Sequence, residues 1–75
     1  MYPRTEYYLV PIEEWRHLYA AALFRCGRTC RLADPDQIMG SREALGLPQA
    51  IQARAHGELI VRAFITPTTV TFTER

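Results

Sequence analysis

The sequence predicts a two-layer α+β domain in which two helices pack on one face of a mostly antiparallel sheet, in the order β-α-α-β-β-β. Three features carry that expectation: a short run of β-formers stopped by Pro11, two helix-start signals in succession, and an alternating apolar and polar pattern punctuated by Gly57 and Pro67. A chain of 75 residues has room for one hydrophobic core, so residues 1–75 read as a single domain. A chain this short buries only about 60% of the surface its unfolded form exposes, which makes oligomerisation or partner binding a reasonable expectation.

Residues 5–10 (TEYYLV) are rich in strand formers and run into Pro11, which marks a short first strand. Pro11 suits the first turn of a helix, where its missing N–H costs nothing, and Glu13 and Glu14 sit where the helix dipole favours negative charge. Ile12, Trp15, Leu18, Tyr19, Ala22, Leu23 and Cys26 then recur at the spacing of one helical face, and the helix ends near Gly27. The second start signal is Asp34-Pro35-Asp36-Gln37, with Asp34 as N-cap, Pro35 at the first helical position and Gln37 placed to complete a capping box. Ile38, Met39, Ala44 and Leu45 supply the apolar side of this helix, Gly40 and Ser41 weaken its middle, and Gly46 with Pro48 stops it.

Residues 49–56 carry two patterns at once. Their Ala, Gln and Arg content favours helix, while Ile51, Ala53 and Ala55 alternate with Gln52, Arg54 and His56. The alternation, together with Gly57-Glu58 as a two-residue hairpin turn into residues 59–66, favours a strand. In that next strand Val61, Ala63 and Ile65 serve the core, and Ile60 and Phe64 take the opposite face around Arg62. Pro67-Thr68 turns the chain into residues 69–74, where Val70 and Phe72 face one way and Thr69, Thr71 and Thr73 the other.

The alternative, a helical 49–56, gives three helices and a C-terminal β-hairpin. Residues 38–45, the Gly46-Leu47-Pro48 turn and residues 49–56 then resemble a helix-turn-helix with the last two strands as a wing. That winged-helix resemblance implies a small DNA-binding transcriptional regulator. Two positions depart from the motif: Arg42 stands where a small residue lets the helices approach, and Gln52 where a recognition helix buries an aliphatic side chain.

A hydrophobic fraction of 48% and a charged fraction of 23% belong to an ordinary globular domain. The longest apolar stretch, residues 18–24, is flanked by Arg16 and Arg25 and is far shorter than the roughly 20 residues of a membrane helix. Arg4, Glu6, Glu13 and Glu14 interrupt any secretory pattern at the N-terminus, so the expected location is the cytoplasm, where Cys26 and Cys30 are reduced thiols. All 9 basic residues are arginine, a bias expected of a GC-rich bacterial genome or a phage of such a host. Without lysine there is no Schiff-base nucleophile and no Walker-type phosphate-binding lysine.

Each candidate for chemistry has a structural explanation. Ser41, in Gly40-Ser41-Arg42-Glu43, lacks the downstream glycine and the preceding strand of a nucleophile elbow. Glu13 and Glu14 are adjacent, so on a helix they diverge by about 100° and cannot flank one bond. Asp34 and Asp36 bracket a proline at a helix start, where aspartates cap. The spacing of His17, Cys26, Cys30 and His56 matches no common zinc pattern. The expectation is therefore no catalytic, cofactor or metal site, and no enzyme.

The positive features are surfaces. On the first helix the stripe through Trp15, Tyr19, Leu23 and Cys26 faces the sheet, and Phe24 points almost directly opposite, beside Ala20 and Ala21 with His17 one turn back. A contiguous apolar set there suggests a partner or homodimer interface, with Arg25, Arg28 and Arg31 steering the encounter. The terminal strand is a second candidate, as an edge open to β-augmentation.

The expected function is a small non-catalytic binding protein that inhibits or regulates a larger macromolecular partner, a protein or ribonucleoprotein complex. A phage or mobile-element accessory protein that blocks a host or defence complex, in an anti-CRISPR-like role, fits such a chain. Nucleic acid is a weaker expectation because the net charge is only +1, and no membrane partner is expected.

Overall fold

The computed structural model describes residues 3–25 and 36–75, the side chains of residues 19–25 and 37 excepted. Its elements are β1 (Arg4–Pro11), α1 (Ile12–Arg25), α2 (Asp36–Met39), α3 (Leu47–Ala53), β2 (Glu58–Ile65) and β3 (Val70–Glu74). The fold is α+β, as expected, with an antiparallel sheet of strand order β1-β2-β3. The capping roles assigned to Asp34 and Pro35 lie outside the described residues.

β2 is the central strand, and its period of two sorts the sheet into faces. Val61, Ala63 and Ile65 turn to one face and are fully buried, beside Tyr8 and Val10 of β1 and Val70 and Phe72 of β3. Trp15 of α1 and Ile38 and Met39 of α2 close over that face, with Leu18 and Leu59 packed against the cluster. Two helices thus cover one face of the sheet, as the sequence predicts. Ile12, expected on the same stripe as Trp15, is instead 49% exposed. It is the first residue of α1 and is still tied to the sheet, since its N–H donates to the carbonyl of Gly57 at 2.9 Å.

The expected second helix is described over Asp36–Met39 and does not continue to Leu45. α2 ends where Gly40 takes a φ of +63°, a left-handed conformation that glycine adopts without strain, and its N–H donates to the Asp36 carbonyl at 2.9 Å. Arg42 then fastens the turn, donating from Nη1 to the Met39 carbonyl at 3.1 Å and from Nη2 to the Glu14 carboxylate of α1. Ala44 is exposed, and Leu45 makes an isolated antiparallel bridge to Tyr7 on the edge of β1 that faces away from β2.

The strand expected over residues 49–56 is not formed, because those residues belong mostly to α3. β1 pairs with β2 along its whole length, from Arg4 opposite Ile65 to Pro11 opposite Glu58, and β3 occupies the other edge. No edge of β2 remains for a preceding hairpin partner. Local signals favour helix as well: Gly46 is the extended N-cap, Pro48 sits in the first turn where its fixed φ suits a helix, and the Ala50 N–H donates to the Gly46 carbonyl at 3.0 Å. Gly57 therefore joins α3 to β2, at a φ of +87°, and does not turn a hairpin. The turn is held by Glu58, whose N–H donates to the Ala55 carbonyl at 3.2 Å and whose carboxylate accepts the Ala55 N–H at 2.8 Å. Ala50 is buried but stands apart from the main core cluster, where α3 packs beside β1.

The turn between β2 and β3 falls at Pro67-Thr68 as expected. Thr66 and Thr69 close it: the Thr66 N–H donates to the Thr69 carbonyl at 2.9 Å, and the Thr69 N–H donates to Thr66 Oγ1 at 3.0 Å.

Met39 is fully buried at the C-terminal end of α2 and belongs to the core cluster, so its packing anchors α2 on the sheet. Met39→Ala is expected to lower unfolding stability by about 2–5 kcal/mol. Urea denaturation checks this, and a loss under about 1 kcal/mol would show that α2 is not anchored in the core.

Candidate functional site

The described residues weighed as candidates for chemistry are scattered over the fold. Glu13 and Glu14 are exposed in the first turn of α1, and Glu14 is engaged by Arg42. Ser41 is exposed in the turn after α2, Asp36 is exposed at the start of that helix, and His56 is exposed in the turn before β2. Among the described residues no group of three or more His, Cys, Asp and Glu side chains is placed to hold a metal ion, and Cys26 and Cys30 of the candidate quartet lie outside them.

A polar relay that sequence reading missed runs along the helix-covered face of β1. Arg4, Glu6 and Tyr8 follow one another on that face, two residues apart. The Tyr8 hydroxyl donates to Glu6 Oε2 at 2.8 Å, and Glu6 Oε1 accepts from Arg4 Nε at 3.1 Å. Tyr8 is 1% exposed, so its ring is core and its hydroxyl needs this acceptor. Burial, followed by the hydrogen bond and the charge of Glu6, pushes the Tyr8 hydroxyl well above the usual tyrosine range. Held protonated as a donor, it is a structural group and not a base.

Of the residues proposed for partner contact, His17 is exposed on α1. Ala20, Ala21, Phe24 and Arg25 fall within the same helix, in the part whose side chains are not described, and Arg28 and Arg31 lie outside the described residues.

The described surface that stands out is the face of the sheet opposite α1 and α2. Pairing across the strands lays it out in rows: Leu9 beside Ile60, then Tyr7, Arg62 and Thr73, then Thr5, Phe64 and Thr71. Leu9, Ile60, Tyr7 and Thr73 are half-buried, whereas Arg62, Thr5 and Thr71 are exposed and Phe64 is 42% exposed. α3 stands at the Ile60 end, where Ile51 and Arg54 border a cleft of about 390 Å³ together with Leu59, Ile60 and Arg75. Exposure therefore rises towards Phe64. The sequence signal for this face was present in the period of β2, which places Ile60 and Phe64 around Arg62.

A larger cleft, of about 500 Å³, lies on the other side of the sheet between α1 and β3, lined by Trp15, Arg16, Phe72, Thr73 and Glu74. Among the described residues no helix is long and apolar enough to cross a membrane. No protein-family model, no curated protein and no solved structure matches this chain.

The state of Tyr8 predicts a pH dependence. A tyrosine whose folded-state pKa is raised contributes stability that is fully present below its unfolded value of about 10 and is lost as pH rises beyond it. Tyr8→Phe should flatten the alkaline fall in urea midpoint between about pH 7 and about pH 11.5. An identical fall in both proteins would contradict the assignment.

Proposed function

We propose that this chain is a non-catalytic binding protein that occupies a surface of a larger macromolecular partner, a protein or ribonucleoprotein complex, and thereby inhibits or regulates it. The observation that carries the reading is Phe64, an aromatic side chain 42% exposed on a regular central strand with Arg62 two residues away and Tyr7 in the neighbouring row. Aromatic and arginine side chains dominate binding hot spots, because they bury large areas at low entropic cost while keeping a polar or planar group for orientation. Phe64 sits on a strand paired on both sides, so its presentation is preorganised and little ordering remains to oppose binding.

The α1 set of His17, Ala20, Ala21 and Phe24, with Arg25, Arg28 and Arg31, is a second contact region in this reading. An accessory role for a phage or mobile element in a bacterial cytoplasm, blocking a host or defence complex, suits a compact binder of this kind.

A DNA-binding regulator is the alternative reading, and α3 supports it by being helical. The helix that should precede it ends at Met39, however, and residues 40–46 separate the two, whereas a helix-turn-helix joins its helices by a turn of about three or four residues. That reading predicts duplex-DNA binding that weakens steeply with salt, and a flat gel-shift series at low salt would end it.

For the principal reading, parallel pull-downs from host lysate with the wild-type chain, Phe64→Asp and Phe24→Asp are the test. Phe64→Asp is expected to reduce partner recovery at least about tenfold, roughly 1.4 kcal/mol, while the chain stays folded by circular dichroism at the pull-down temperature. Equal recovery by all three proteins would refute the assigned surfaces.

A further inference from the structure

Among the described residues the outer edge of β3 is unpaired. The phase of its ladder is fixed by the Thr66–Thr69 hydrogen bond and by the Arg75 N–H, which donates to the Ile60 carbonyl at 2.9 Å. Thr71 and Thr73 therefore direct their backbone groups to β2, and the N–H and C=O groups of Val70, Phe72 and Glu74 point away from the sheet. Natural sheets protect such edges with short strands, proline, charged side chains or a bulge. The strand VTFTE is short and carries a charge at its end, Glu74, but residues 70–73 contain no proline and no charge, and its register with β2 runs without a break.

We propose that this edge pairs with the same edge of a second copy of the chain, β3 antiparallel to β3 about a twofold axis at Phe72, making one sheet continuous through both copies. The strand is complementary to itself in this register. Pairing centred on Phe72 engages the outward groups of Val70, Phe72 and Glu74 together, and sets Phe72 opposite Phe72 of the second copy. Thr71 falls opposite Thr73 of the second copy, in the closer non-hydrogen-bonded position where threonine pairs are favourable.

Charge selects the same register. Glu74 is the only charged residue of β3 and falls opposite Val70 of the second copy, while centring on Glu74 would set two carboxylates face to face. Shape agrees as well. Val70, Phe72 and Glu74 lie on the helix-covered face, so Val70 of the second copy arrives beside Glu74 at the cleft of about 500 Å³ lined by Trp15, Arg16 and Phe72. A strand from an unrelated protein could meet the same backbone groups, but only a second copy brings this matched set of side chains. The edge is distinct from the Phe64 surface, so the pairing stands or falls separately from the function proposed above.

The test combines sedimentation equilibrium with amide hydrogen exchange on the wild type, Glu74→Pro and the double variant Thr71→Glu/Thr73→Glu. Glu74→Pro removes an outward N–H and leaves the β2 ladder its donors. The double variant sets carboxylates directly opposite each other across the paired dimer, in addition to the spacing of two that they have within one strand, and position 73 faces Arg62 within its own chain. The wild type is expected at twice the 8.6 kDa chain mass, with slow exchange at Val70 and Phe72. Both variants should weaken the dimer at least about tenfold. In Glu74→Pro, exchange at Val70 and Phe72 should become fast while Thr71 and Thr73 stay protected. A wild type monomeric at about millimolar concentration, or dimers equally tight in all three proteins, would overturn the proposal. So would a monomer whose Val70 and Phe72 amides become protected only when a peptide from another protein is added.

Discussion

Every second side chain of β2 is withdrawn from water, with Val61, Ala63 and Ile65 at 0% exposure, and both edges of the strand are hydrogen-bonded to neighbours. Burying a valine or isoleucine side chain fully contributes about 1.5–3 kcal/mol, so these positions fix the register firmly. A slip of one residue would carry Arg62 into the core and expose all three. The position of Tyr8, the closure by Trp15, Ile38 and Met39, and the exclusion of residues 49–56 from the sheet all depend on this constraint.

The same alternation that builds the core creates the surface. Once Val61, Ala63 and Ile65 are committed to the helices, Ile60, Arg62 and Phe64 must face the other way. α3 stands at the Ile60 end of that face, and Phe64 remains accessible at the other. Elsewhere, polar groups within the core layer are satisfied internally, as Tyr8 is by Glu6 and Glu6 by Arg4. Among the described residues the sheet thus presents an aromatic and arginine face and, separately, a strand edge, both on regularly paired strands.

The sheet was legible where one local pattern acted alone. β1, α1, β2 and β3 follow from their periods and from Pro11 and Pro67, and the two faces of β2 were read correctly. Residues 49–56 were misread because two patterns competed and the deciding fact was not local: β1, far away in sequence, had already taken the β2 edge that a hairpin would use. Gly46 and Pro48 carry the pattern of a stop for one helix, and in the fold they start the next. Gly40 ends α2 well before Leu45, which a glycine in mid-helix foreshadows but does not determine. The Tyr8–Glu6–Arg4 relay carried no motif, although its spacing of two on a strand places the three on one face. The Phe64 surface was legible as periodicity, while its degree of exposure depended on where α3 packs.

Among the described residues this sheet has one sealed face and one open face, divided along β2. Side-chain NMR of the isolated chain with a soluble paramagnetic agent tests it directly. The account predicts strong broadening of the Phe64 ring and of the Thr5 and Thr71 methyl signals, with those of Val61, Ala63 and Ile65 left sharp. A Phe64 ring protected as fully as Val61 would contradict it, since the face assigned to partners would then already be covered by the chain itself.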